Sequence, residues 1–598
     1  DTSAYPIPVI HPLPANKEGM ILSLSDDCWQ MCHSSFADSA EKTWEQVSVP
    51  SVQWNEGGTV TYRRMLSIPA SWEKKRIFLR FDGANCFTRI YINGTFVMDH
   101  YGGFVSWDCE LTHMNPGNTY ELVVEIEART QETSPFHYGG LMRDVLLYAL
   151  PETCLARLHV HTVFDAIYQD AVLSITVMTE GDAQVHLSLV DPVGIHMPLG
   201  CISCTDREES QDHYPINRPR KWDSEHPWLY TLRAEVFVEG ALVESVEKRI
   251  GFRQIERRGN EVYINGDLLK LRGINRHDIH PTQHRAITHE WVEKDVKLFR
   301  EANINFIRTS HYTPRPDFLD LCDQYGIYVE DESAVAFLGY ALPRTESDPT
   351  LERAFMQPFT EMVERDRDHP CIIIWSIANE SYWGHNHALM QDYAHRVDPN
   401  RLTIFSYPMT QMEDDLPADI WSSHYDHWTY DLSSMSECFR RGESYAPPHP
   451  VLHDECTHIC CYNQEELRRD PGVRDFWGES LWRFWERVWE TKGALGCAIW
   501  CGVDDVMFDR GKMREMPWGI IDGWRRKKPE YWHVRKGYSP VKVENRPFVQ
   551  NGKWAIRVHN RFNHTNLNEI SVHWTLEDQS GTAVFGYVPP RTEGTLIL

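Results

Sequence analysis

From about residue 253 onward the sequence repeats one pattern eight times, a short apolar run followed by a stretch of helix length. The runs are 269–275, 304–309, 326–331, 371–379, 402–406, 418–424, 450–455 and 495–503. Apolar runs without polar alternation suit strands buried on both faces, as in a parallel sheet wrapped by helices. Eight such units over 253–540 match a (β/α)8 barrel, which typically takes about 250 residues. A doubly wound sheet is the alternative, and it usually has fewer strands. The first intervening helix has Thr288 placed as an N-cap and Trp291, Val292, Val296, Leu298 and Phe299 along it. The fourth run, Cys371 to Asn379, is β-branched and ends on a carboxylate, Glu380, with helix-like segments at 351–368 and 387–396 on either side.

Before this region the grammar is that of β structure. Residues 1–150 alternate in runs such as Arg76 to Phe81 and Tyr120 to Ile126, punctuated by Asp82-Gly83, Asn93-Gly94 and Pro116-Gly117. They read as a β-sandwich or jelly roll. Residues 151–252 alternate again, as in Ala171 to Val177 and Leu229 to Phe237, at the length of an immunoglobulin-like sandwich. After Pro540 alternation returns in Trp554 to Val558 and Glu569 to Trp574. Residues 541–598 are therefore expected to be the start of a C-terminal β-sandwich, short or cut. A chain of 598 residues exceeds one core, so several domains are expected.

The formal net charge is −26, which argues against a nucleic-acid or anionic-membrane partner, since either calls for a basic face. A neutral substrate fits better, and 22 Trp and 25 Tyr supply rings of the kind that hold the apolar faces of sugars, although most belong to cores. Fifteen cysteines leave at least one unpaired within the chain. Cys201-x-x-Cys204 has no second pair to complete a zinc site, so reduced, mostly buried thiols are expected and no metal. No run approaches the ~18 apolar residues of a membrane helix. The sequence opens at Asp1 with neither an initiator Met nor an apolar leader. The compartment stays open between cytoplasmic and, after removal of a signal peptide, periplasmic or secreted. A homo-oligomer is compatible with the sequence and not required by it.

The last residues of the runs carry the chemistry: Asn275-Arg276-His277-Asp278, Arg308-Thr309-Ser310-His311, Asp331-Glu332, Asn379-Glu380, Ser423-His424-Tyr425, Asp454-Glu455 and Trp500. Polar groups massed at one end of a barrel cost free energy unless paired, and C-terminal strand ends are where barrel active sites lie. No nucleophile elbow, phosphate loop or HExxH zinc spacing is present. What remains is carboxylates on different strands, the minimal apparatus for cleaving a glycosidic bond. Glu380 and Glu455, on the fourth and seventh strands, stand nearly opposite and can converge to about 5 Å, the spacing of a retaining enzyme. Asp331 and Glu332 also sit at strand ends, so these rules rank the pair without selecting it.

Several stretches resemble glycoside hydrolase family 2, in the order found there: Gly140-Leu141-Met142-Arg143-Asp144-Val145, Gly251 to Glu256, Leu271 to Asp278, Arg308 to Tyr312, and Trp375 to Ser381. The resemblance implies a jelly-roll sugar-binding domain, an immunoglobulin-like domain and a catalytic barrel. It implies Glu380 as acid/base and Glu455 as nucleophile in a double displacement, Asn379 on the sugar 2-hydroxyl, and Tyr425 beside the nucleophile. Arg308 is expected to keep Glu455 ionised, and a raised pKa to keep Glu380 protonated. Glu455-Cys456-Thr457-His458 is similar to the Glu-x-x-His of β-galactosidases. His277, His311, Trp500 and Asp144 fall where those enzymes contact galactose.

The implied activity is hydrolysis of terminal β-D-galactosides, with carbohydrate as partner and no cofactor. A β-glucuronidase, an arabinopyranosidase and, from another class, a carbohydrate-binding pseudoenzyme stay open. Glucuronidases hold the sugar carboxylate with an Asn-x-Lys in the last barrel loops, and no Asn occurs between Asn463 and Asn545. Against the β-galactosidase pattern, Ala336 and Leu338 occupy the positions of a magnesium-ligating Glu and His, and Thr59 replaces a substrate-contacting Asn. Asn379-Glu380-Ser381 also spells an N-glycosylation acceptor, but a glycan there would fill the pocket.

Overall fold

The structure, a computed structural model, describes residues 5–16, 18–54, 58–129, 131–135, 138–409, 417–425, 449–462, 464–509 and 511–598. The N-terminal region is a jelly-roll sandwich of two facing antiparallel sheets. One runs Glu45–Val47, Trp29–Cys32, Thr59–Ser67, Thr119–Glu127, Phe87–Ile92, Thr95–Tyr101; the other runs Ile21–Ser23, Val145–Pro151, Lys75–Phe81, Trp107–Glu110. Trp29, Trp72, Leu79, Phe81, Ile90 and Val124 fill the space between them. The turn at Asn93-Gly94 has φ of 47° and 78°, the doubly left-handed backbone of a tight hairpin, which Asn-Gly tolerates best.

The next region is an immunoglobulin-like sandwich of three strands (Cys154–Phe164, Ala171–Glu180, Glu209–Ile216) against four (His196–Cys204, Ala183–Val190, Tyr230–Val238, Ala241–Ile250). Period-two burial is visible in Ala183–Val190, where Ala183, Val185, Leu187 and Leu189 are buried and the residues between them face out.

The barrel follows. Its strands are β1 (Leu271–Asn275), β2 (Phe306–Arg308), β3 (Tyr328–Glu332), β4 (Ile372–Asn379), β5 (Leu402–Ser406), β6 (Trp421–His424), β7 (Val451–Cys456) and β8 (Ala494–Ile499). All pairings are parallel, in the order β5-β4-β3-β2-β1-β8-β7-β6, and a parallel bridge from Ile404 to Ile420 closes the ring between β5 and β6. Every residue of β4 is buried, as its unbroken apolar sequence requires. Helices α1 (His289–Glu301), α2 (Pro316–Tyr325), α3 (Glu352–Asp366) and α4 (His385–Val397) cover the first half of the ring, and α5 (Gln464–Arg469), α6 (Val473–Glu490) and α7 (Pro529–Gly537) lie beyond β7. Thr288 does precede α1, but its side chain makes no capping bond. The last region holds a four-stranded sheet and the hairpin Ser571–Leu576/Gln579–Val584 around Val558, Leu567, Phe585 and Leu596.

Both sandwiches are locked to the barrel by buried charge. Arg143 donates to Asp278 Oδ2 at 3.1 Å and to the carbonyls of Thr313, Phe104 and Pro314 at 2.7, 2.9 and 3.2 Å. Gly102 lies against Pro358 of α3 so closely that a Cβ there would stand 2.6 Å from the proline ring. Arg157 and His159 of the second sandwich reach Glu364 and Asp368 at 2.9 and 2.7 Å. The described cysteines are mostly buried. Among the described residues no helix is long and apolar enough to cross a membrane.

Candidate active site

At four strand ends the backbone turns out of the barrel through a non-glycine residue in the left-handed region: Glu380 (φ 36°), Tyr407 (58°), Tyr425 (53°) and Thr457 (44°). Such conformations cost about 1–3 kcal/mol each and cluster where geometry serves function. Here they cluster at the mouth. Carboxylate oxygens of Glu380 and Glu455 and a ring nitrogen of His424 all lie within 4.8 Å of one another. The Glu380 side chain is 20% exposed and that of Glu455 is 6% exposed, so both border open space.

Arg308 organises the floor. It is fully buried and donates to Glu455 Oε1 (2.8 Å), to both oxygens of Glu332 (2.8 Å each), to Asn379 Oδ1 (2.7 Å) and to Asn275 Oδ1 (3.0 Å). A planar fork with five donors on fixed acceptors defines position well. Tyr425 donates its hydroxyl to the other oxygen of Glu455 at 2.8 Å. Asn379, with Oδ1 committed to Arg308, keeps its buried Nδ2 without a hydrogen-bond partner, a donor left for a ligand oxygen.

Two rival carboxylates are removed by their surroundings. Glu332 is spent on Arg308 and on Ser376 Oγ at 2.6 Å, and Asp331 is wholly buried and faces Asp366. Glu330, also wholly buried, has its carboxyl pushed well up by burial and by the charge of Asp454.

The wall opposite is aromatic. Trp500 stacks on His311 with centroids 5.1 Å apart and meets His277 and Trp518 edge-on at 5.4 and 5.3 Å. His277 bonds the Tyr312 hydroxyl through Nδ1 at 3.1 Å. Burial and then nearby arginine charge push both His277 and His311 well below the usual histidine range, so both rings are neutral. His458 lies beside Tyr425 and Trp518 with ring centroids 5.7 and 5.9 Å away.

The structure thus gathers Glu380, Glu455, Asn379, Arg308, His277, His311, Tyr425, His458 and Trp500 at one mouth. Asp144 is the exception. It accepts from Ser25 Oγ at 3.0 Å and lies 3.6 Å from Arg315, and its neighbour Arg143 makes the inward contact instead. Protonation also departs from expectation. Burial pushes Glu380 up, but the hydrogen bond and charge of His424 outweigh it, so its carboxyl lies below the ordinary value. Burial takes Glu455 above its ordinary value despite the charges of His424 and Arg308. His424 was unassigned in the sequence reading, although it stood in the strand-end run beside Tyr425; Asn275, Asp454, Glu332 and Trp518 were likewise given no role. The positions of Ala336 and Leu338 are fully buried and apolar, a donor set that does not fit a hard cation.

Three family models match consecutive parts of the chain: "Glycosyl hydrolases family 2, sugar binding domain" over 42–151, "Glycosyl hydrolases family 2" over 153–253, and "Glycosyl hydrolases family 2, TIM barrel domain" over 255–543. A β-galactosidase of Psychromonas ingrahamii is 31% identical over 363 residues, covering 57% of this chain and 35% of that protein. The chain thus spans about a third of the length of that curated relative. Among solved structures, a β-D-glucuronidase of Dictyoglomus thermophilum superposes with a TM-score of 0.75 at 20% identity, covering 88% of this chain and 98% of that one. A β-galacturonidase of Eisenbergiella tayi, bound to galacturonate, superposes with a TM-score of 0.72 at 22% identity, covering 87% and 97%. Likenesses at that identity speak to the fold.

Proposed function

Because the chain belongs to glycoside hydrolase family 2, we propose that it is a retaining exo-β-glycosidase acting on terminal β-D-galactosides through Glu380 and Glu455. The observation that carries this reading is the approach of the two carboxylates within 4.8 Å, close to the roughly 5–5.5 Å of retaining enzymes and too short to seat a water between them as inversion needs. Glu455, held by Arg308 and Tyr425, attacks the anomeric carbon as Glu380 delivers a proton to the departing oxygen. Water then attacks the glycosyl-enzyme ester, and Glu380 takes its proton. Asn379 Nδ2 supplies the donor for the sugar 2-hydroxyl, and the Trp500 face supports the apolar side of the ring.

A neutral glycone is favoured by charge. Arg308, Arg276 and Arg285 lie near the strand ends, and each is ion-paired, with Glu332 and Glu455, with Asp278 and Asp295, and with Asp505 respectively. Neutral His277 and His311 suit hydroxyls better than a carboxylate. The alternative, a uronide, is favoured by the segment from Asp331 to Phe337, which is closer to the glucuronidase form. A panel of nitrophenyl β-glycosides decides between them. The galactoside is expected to give the highest kcat/KM, and equal or faster turnover of the glucuronide or galacturonide would replace the assigned sugar. Proton NMR of the first-formed product is expected to show the β-anomer; an α-anomer would remove the double displacement.

A further inference from the structure

A second hydrogen-bonded chain joins Glu380 to the ends of β5, β6 and β7. His424 Nδ1 stands 2.9 Å from Glu380 Oε1. Its Nε2 stands 2.9 Å from Ser406 Oγ and 3.3 Å from Asp454 Oδ1. Ser406 donates its hydroxyl to Asp454 Oδ2 at 2.7 Å, and Ser422 donates to Asp454 Oδ1. Since the Ser406 proton is committed to Asp454, Ser406 Oγ can only accept from Nε2. Both ring nitrogens therefore face acceptors, and one proton lies between Nδ1 and Oε1. Tyr407 stacks on the ring at 5.1 Å and 12°, fixing its plane. His424 and Asp454 are 3% and 0% exposed, so bulk water does not compete for these bonds.

Resting on the glycosidase reading above, we propose that His424, anchored by Asp454 and Ser406, is a positioning residue that stores the proton Glu380 delivers to the leaving group. As the C1–O bond breaks and its electron pair passes to the aglycone oxygen, the Glu380 carboxyl gives that oxygen its proton. That proton came to Oε1 from His424 Nδ1, which leaves neutral imidazole. In the second step the attacking water loses a proton to Glu380, which returns it to Nδ1 and restores the starting state. The arrangement accounts for a carboxylate that rests ionised beside a buried cation yet must act first as an acid. The groups facing the ring are Glu380 from β4, Ser406 and Tyr407 from β5, Tyr425 from β6, and Asp454 and Glu455 from β7. The charges of Glu330 on β3 and His311 after β2 are felt as well. Burial lowers the imidazole, but the charges of Glu455 and Asp454 bring it up to about 10, and Asp454 is held down at about 2.

His424→Gln keeps a donor near Glu380 and removes the stored proton. At pH 8 it is expected to lose about 100-fold in kcat/KM on a phenyl galactoside, the order of a general-acid contribution. On the dinitrophenyl galactoside, whose leaving group needs no proton, it should lose less than about fivefold. The alkaline limb of the phenyl galactoside profile should move from near 10 down toward the carboxyl range, restoring much of the rate at pH 5. Asp454→Asn should move the same limb in the same direction. Equal losses on both substrates with an unmoved limb, in a variant that melts like the parent, would overturn the proposal and leave His424 a structural residue. A parent chain that turns over no glycoside of either kind would overturn the glycosidase reading, and this proposal with it.

Discussion

Arg308 is the side chain on which the site depends most heavily. Lysine keeps its charge but not the fork, so Arg308→Lys leaves Glu332 or Glu455 without its bonded partner. The expected loss in kcat/KM is about 10²-fold or more, by analogy with removal of a fixed donor from a charge-stabilising site. The pH profile gives a second readout. Glu455 attacks only as carboxylate, and its value lies above the ordinary one, so activity falls as pH drops through that raised value. Weakening the Arg308 bond raises it further and should carry the acid limb upward. An unmoved limb would mean that Arg308 does not set the charge of Glu455. Glu380→Gln is expected to cost about 10²–10⁴-fold on alcohol leaving groups, with a smaller loss on dinitrophenyl glycosides.

At the level of strands and helices, the contact that seats the jelly roll on β1 is Arg143 on Asp278. Arg143→Met leaves Asp278 with the Arg276 side chain and the Arg315 backbone N–H and is expected to cost about 3–5 kcal/mol, as when one partner of a buried pair is removed. Denaturant unfolding measures it. Asp278 is held at about 2 in the folded chain, by Arg276 and Arg143 acting against burial, and its ordinary value is near 3.9. Its contribution is thus complete above about pH 4 and fades as pH falls toward 2, where parent and variant should converge. If the two differ equally at pH 3 and pH 7, the cost lies in packing instead of charge.

The strands show how far the sequence could be read. The isoleucines of β4 and the alternation of Ala183–Val190 are local signals, and the elements formed where those patterns stand. The approach of Glu380 to Glu455 was accessible because strand order alone sets them across the ring. The bonds of His424 were not, because they join the ends of β4, β5, β6 and β7 and depend on Tyr425 and Glu380 leaving their strands in the left-handed region. Asp144 illustrates the opposite failing. Its place in a familiar motif suggested the pocket, but the turn that sends Arg143 inward leaves Asp144 with Ser25. The order of protonation could not be read at all, since it follows from burial and from a cation two strands further along the chain.

For the molecule as a whole, two sandwiches and a further β region brace a barrel whose mouth holds charges that would be costly if left unsupported. Asp295 pairs with Arg276 and Arg525 at 3.0 and 2.7 Å. Glu225 of the second sandwich accepts from the backbone of Asn563, His564 and Thr565 at 2.8–2.9 Å. Such cross-ties hold the flanking regions and the barrel's loops in place. With Ala336 and Leu338 where oxygen and nitrogen ligands would be needed, a chelator is expected to leave kcat/KM unchanged; a strong loss restored by magnesium would show a cation site elsewhere. The most direct test of the account is to trap the glycosyl-enzyme with 2-deoxy-2-fluoro-β-D-galactosyl fluoride and locate the adduct by peptide mass spectrometry. The account predicts one sugar per chain, on Glu455, and none in Glu455→Gln; an adduct on Glu380 or Glu332, or turnover with no adduct, would contradict it.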